Sequence, residues 1–148
     1  MKLTSPHAPV KLQVITLWQP WATWIALGFK TIETRTHGRF ASLSETRIGI
    51  HAGHHWDEEA YALARAYMTD AQIGITESYK NVRGALVATA FVTEHRELRA
   101  TDSRASLLWV GGEPKRFGLV LENVERLDPP MPMQGKQGIW SINVTAAK

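Results

Sequence analysis

Residues 19–28, Gln-Pro-Trp-Ala-Thr-Trp-Ile-Ala-Leu-Gly, leave the backbone few options. Proline is favoured at the first helical position, where its missing N–H costs nothing, and glycine just past the last one. Between them Trp21, Trp24, Ile25 and Gly28 fall at i, i+3, i+4 and i+7, which makes a single buried stripe. The spacing predicts a short helix with both limits written into it. Upstream, residues 11–18 carry Leu12, Val14 and either Thr16 or Trp18 at period two and read as a strand. Downstream, a second extended run, residues 30–36, begins almost at once.

That second run carries charge. Lys30, Glu33 and Arg35 lie within six positions of an otherwise half-buried strand. Alternation puts Glu33 and Arg35 on one face and starts Lys30 on the other, but Lys30 sits at the helix-to-strand corner, where a long stem can bend round. An ammonium, a carboxylate and a guanidinium at one chain reversal suit anion binding or proton transfer. They equally suit a surface ion-pair cluster. Catalysis by Lys30 requires a lowered pKa; burial and Arg35 push it down and Glu33 pushes it up.

The remaining pattern extends the order to β-α-β-β-α-β-β-β. Residues 37–46 are small and polar and read as a loop. A short strand at 47–51 runs into a turn holding His54 and His55. Asp57, Glu58 and Glu59 open a helix that Ala60, Leu63, Ala64, Tyr67 and Met68 carry to about residue 71. Residues 72–82 are ambiguous and have room for a further helical turn. Strands follow at 84–95 and 117–127, separated by a polar stretch with an apolar island at Leu107, Leu108 and Trp109. Residues 128–132 read as a stiff, proline-rich connector, 135–138 as a flexible turn and 139–144 as a closing strand. Helices are too few for a doubly wound sheet. The pattern predicts an α+β fold: a small mixed or antiparallel β-barrel with two main flanking helices.

At 148 residues the chain suits one domain, over residues 11–148, with residues 1–10 as a loose tail. No apolar run has the length to cross a bilayer, so no membrane partner is expected. The absence of cysteine excludes disulfides, thiolate metal sites and thiol catalysis, and suits a cytoplasmic location. The net charge of +3 is spread over scattered arginines, so only folding can gather a basic patch. The spacing of His51, His54 and His55 matches no recognised helical or hairpin ligand motif, so no metal is expected. No cofactor fingerprint is present. Of the six tryptophans, Trp21 and Trp24 belong to the core stripe, while Trp18 at the strand end is the best candidate to stack on a base.

Three segments, Trp18-Gln19-Pro20-Trp21-Ala22 leading to Gly28, Lys30, Glu33 and Arg35, then residues 48–52 (Ile-Gly-Ile-His-Ala), then residues 135–140 (Gly-Lys-Gln-Gly-Ile-Trp), together resemble the ASCH domain, whose fold is similar to the PUA β-barrel. The resemblance spans roughly residues 11–144. It implies a cleft lined by the charged motif, with RNA-related roles. A branch of small ASCH-like proteins removes the acyl group from acetylcytidine with a lysine, a threonine and a glutamate. Lys30 matches that lysine, Glu33 replaces the threonine, and the separate glutamate has no counterpart here. The implied ligand is RNA or a modified nucleoside, bound by Trp18, Gly28, Lys30, Glu33, Arg35 and His51, with Lys136 and Gln137 at the rim. The alternatives are an enzyme, either an amidohydrolase on an acylated nucleobase or a metal-independent ribonuclease using Lys30, Glu33 and His51, and a module that takes a peptide or small anion.

Overall fold

The computed structural model describes residues 9–145. In chain order its elements are β1 (Pro9–Gln19), α1 (Trp21–Ala26), β2 (Ile32–Arg35), β3 (Arg47–Trp56), α2 (Glu58–Ala64), α3 (Asp70–Ser78), β4 (Ala85–Glu97), α4 (Ser103–Ser106), β5 (Phe117–Pro132) and β6 (Ile139–Thr145). β1 begins inside the stretch read as a tail; residues 1–8 of that tail lie outside the described residues. Among the described residues no helix is long and apolar enough to cross a membrane.

All six strands form one sheet in the order β2-β5-β4-β3-β1-β6. Among the described residues only β1 and β3 run parallel; the other four pairs are antiparallel. The β4–β5 ladder slips register at three points, and such bulges bend a strand and increase its twist. The sheet therefore curls until Arg35, on edge strand β2, lines the same hollow as Thr16 and Trp18 of β1. The expected closed barrel is corrected to an open, curled sheet: among the described residues no ladder joins β2 to β1 or β6. Instead α1 fills the concave face, where Ala22 and Ile25 pack with Ile15, Leu17, Ile50 and Leu119. A second core, with Leu12, Val14, Leu86 and Trp140, covers the other face of β1.

Local chemistry explains α1. The Gln19 side chain accepts from the Thr23 N–H, one of the free donors of the first turn, and donates to the Thr23 hydroxyl and the Val82 carbonyl. Pro20 occupies the cap itself, just ahead of the first helical residue. Gly28 has φ +79°, the left-handed conformation that ends a helix cheaply only at glycine.

Three boundaries differ from expectation. The helix foreseen to residue 71 stops at Ala64 and becomes a 3-10 turn; Thr69 then caps α3 through a reciprocal pair of bonds with Gln72. That capping box starts a new helix where the apolar repeat faded. β3 continues through His54 and His55, because its parallel ladder with β1 extends to Trp56. β5 likewise runs on through Pro129, Pro130 and Pro132, paired with β4. β2 covers only the first four residues of β5, so the later prolines face no neighbour on that side that requires their missing N–H.

Candidate functional site

The cleft follows from one face of β1. Leu12 and Val14 on that face are covered by Trp140, but at Thr16 and Trp18 the cover ends and the face opens. The parallel ladder sets Thr16 beside His51, so both side chains belong to the same floor. Residues 134–138 form one rim. Arg35 at the end of β2, with His37, Arg39 and Phe40 beyond it, forms the opposite wall. The open hollow has a volume of about 620 Å³.

The lining is cationic and aromatic. Arg35, Arg39 and Lys136 contribute charge, and among the described residues no carboxylate lines the cleft. The Arg35 guanidinium lies 5.1 Å from the Phe40 ring centroid. Trp18 is 57% exposed and braced by His55, whose ring centre is 4.2 Å away, edge to face.

Of the residues singled out in the sequence, Trp18, Arg35, His51, Lys136 and Gln137 line this cleft together. Gly28 does not: it is an exposed helix terminus surrounded by open space. Lys30 and Glu33 lie behind the wall. Lys30 is 1% exposed, donates to the Ser106 carbonyl at 2.6 Å and has its ammonium 4.6 Å from the Trp21 ring centroid. Its charge faces Glu33 Oε1 at 3.6 Å, while Glu33 Oε2 accepts from Arg35. Burial dominates the Lys30 equilibrium and lowers its pKa to about 8; Glu33 opposes that shift and Arg35 adds to it. Glu33 also reaches a separate hollow of about 350 Å³ beside Trp21, Asp57, Glu59 and Arg116.

His51 uses both ring nitrogens. Nδ1 lies 3.2 Å from Thr16 Oγ1 and Nε2 2.8 Å from the Met133 carbonyl oxygen. Its pKa is lowered, chiefly by burial; the Met133 carbonyl opposes the shift and the nearby His54 adds to it. His54 lines the cleft and His55 turns to Trp18.

Sequence reasoning missed Thr16, His37, Arg39, Phe40, His54 and Gln134 as lining residues. Thr16 was one arm of an alternation whose face the register alone decides. The loop residues carried no periodic signal.

Fold and cleft define the class: an α+β protein with a curled six-stranded sheet and a cationic, aromatic hollow at the open end of a parallel strand pair. That fold is the one seen in ASCH structures. The crystal structure of ASCH from Zymomonas mobilis is similar to it with a TM-score of 0.53 at 17% identity, over 81% of this chain and 72% of that one. A serine-to-alanine mutant of the Zymomonas mobilis protein gives a TM-score of 0.52 at 17% identity, over 82% and 73%. At this identity the likeness is one of fold. No protein-family model matches the sequence, and no curated protein matches it.

Proposed function

We propose that this chain is an ASCH-type domain that binds RNA or a modified nucleoside in the cleft between β1, β2 and the 134–138 rim. One observation carries the reading: three cationic side chains and an exposed tryptophan share a hollow that no Asp or Glu of the described residues lines. Guanidinium forks and an ammonium suit phosphate oxygens, and an indole face suits an unstacked base. Glu33 neutralises Lys30 from behind and steers Arg35, so it serves the cleft without repelling an anion within it.

A second reading, hydrolysis of an acylated base or of RNA, is favoured by the Lys30 pKa of about 8, in the range a general base needs. Against it, the Lys30 ammonium is sealed between Trp21 and Ser106, so a substrate reaches it only if Trp21 moves.

The test is anisotropy of a short labelled single-stranded RNA over a salt series. Binding should weaken steeply with salt, and Arg39→Ala or Lys136→Ala should each lower the slope by about 0.7. Trp18→Ala should cost roughly 1–3 kcal/mol of affinity at any salt. Salt-independent binding, or none, would overturn the reading. Product formation from acetylcytidine or RNA that disappears in Lys30→Met would move the protein to the second reading.

A further inference from the structure

The hydrogen bonds across the cleft floor run in one direction. The Trp140 indole N–H, which can only donate, lies 3.1 Å from Thr16 Oγ1. At the far end the Met133 carbonyl can only accept, so His51 Nε2 carries the proton. The buried imidazole is neutral, which leaves Nδ1 bare, and the Thr16 hydroxyl donates to it. Thr16 has then used its only hydrogen and one of its two lone pairs. What remains is one lone pair, on a side chain that lines the cleft. His51 has nothing left to offer.

Thr16 is only part-buried and lines the hollow, while Gly135 passes close beside it. Residue 135 is a glycine, and a Cβ there would come within 2.8 Å of Thr16 Oγ1 and 2.6 Å of His51 Cε1. Gly135 packs its backbone close to the pair, so a side chain there would crowd Thr16 and His51.

We propose that Thr16 is a specificity-determining residue: its oxygen accepts a hydrogen bond from an N–H group on the bound base, so the cleft prefers bases that lead with such a donor over those that present only acceptors. This rests on the nucleic-acid reading above. The division of labour follows from the side chains: donors on the wall and rim (Arg35, Arg39, Lys136) take the anionic backbone, and the Thr16 oxygen on the floor reads the base.

The experiment compares RNA oligomers of adenosine and of nebularine, which is adenosine without its amino group, on the wild type, Thr16→Val and Thr16→Ser. The wild type should bind the adenosine oligomer roughly tenfold tighter, the cost of leaving a desolvated acceptor unpaired. Thr16→Val should bind both oligomers equally, and Thr16→Ser should keep the preference. Equal binding by the wild type, or a preference that survives in Thr16→Val, overturns the assignment and leaves the nucleic-acid reading standing. Failure to bind either oligomer overturns that reading itself. Nitrogen-15 NMR of the His51 ring supplies a check independent of the variants and of ligand: a bare Nδ1 and protonated Nε2 support the proposal, and the opposite tautomer overturns it.

Discussion

The Lys30 ammonium stands 3.6 Å from Glu33 Oε1, with both side chains almost sealed from solvent. The other carboxylate oxygen holds Arg35, whose side chain is 27% exposed at the cleft wall. Three charges close in sequence thus form a graded line from interior to surface. The buried end sets stability and the exposed end faces the hollow.

The Lys30 equilibrium makes stability depend on alkaline pH. The folded pKa is about 8, below the ordinary 10.5. Between those values the unfolded chain holds a proton that the folded chain has released, so this group makes stability rise with pH across that window. The gain should be on the order of 2 kcal/mol between about pH 7 and about pH 10, and should be absent in Lys30→Met. Urea melts of both proteins at the two pH values measure it; parallel pH profiles would refute the assignment.

Glu33→Gln leaves a buried ammonium without its countercharge. A loss of about 3 kcal/mol at neutral pH is expected, since breaking a buried pair strands the partner. The loss should shrink at high pH, where a neutral lysine needs no counterion. RNA affinity should fall as well, because Arg35 loses its tether. A variant as stable as the wild type would show that Lys30 is already neutral.

Asp102 joins the polar segment after β4 to the sheet. Both of its oxygens accept from Arg96 at 2.9 Å, and one also accepts the Arg99 N–H. Arg96 holds its carboxyl down at about 2, against an ordinary 3.8. The resulting stability, roughly 2 kcal/mol, is complete above the unfolded value and lost as pH falls through the folded one. Asp102→Asn should remove it at neutral pH and flatten the acid limb of the stability curve, as thermal melts across that range would show.

Gly135→Ala addresses the floor directly. The new methyl would come within 2.7 Å of His51 Nδ1, so the rim must move outward or the imidazole must turn. RNA affinity should drop about tenfold with a loss of stability near 1 kcal/mol, within the cost of modest overpacking. Unchanged affinity in calorimetry would place the ligand away from the floor.

Several elements are legible in the sequence alone. The limits of α1 could be read because proline, glycine and a four-residue stripe are local signals, and the long apolar run of β4 because its burial is continuous. The apolar repeat carries the second helix too far because it still fits through Met68, where Thr69 and Gln72, a capping pair, start a new helix. Residues 128–132 read as a stiff extended connector; whether prolines, which lack a donor, can join a strand depends on which edge of β5 has a neighbour.

The cleft divides in the same way. Trp18, Arg35, His51, Lys136 and Gln137 were singled out by motif, and curling of the sheet brings them to one hollow. Lys30 and Glu33 belonged to the same motif, yet their environment comes from elsewhere. The carbonyl that accepts from Lys30 belongs to Ser106, 76 residues further along the chain. The direction of the Thr16–His51 bond depends on Trp140 and Met133, which no local pattern connects to either residue.

By itself the sequence determined the short capped helix, the alternating strands and the set of charged and aromatic side chains available to a site, because periodicity, turn chemistry and side-chain type act over a few neighbouring residues. Only the tertiary structure decided which face of β1 opens, that the sheet stays unclosed around α1, and that Lys30 is buried while Arg35 is not. Strand register and desolvation are set by partners distant in the chain, and those partners are chosen only when the whole sheet assembles.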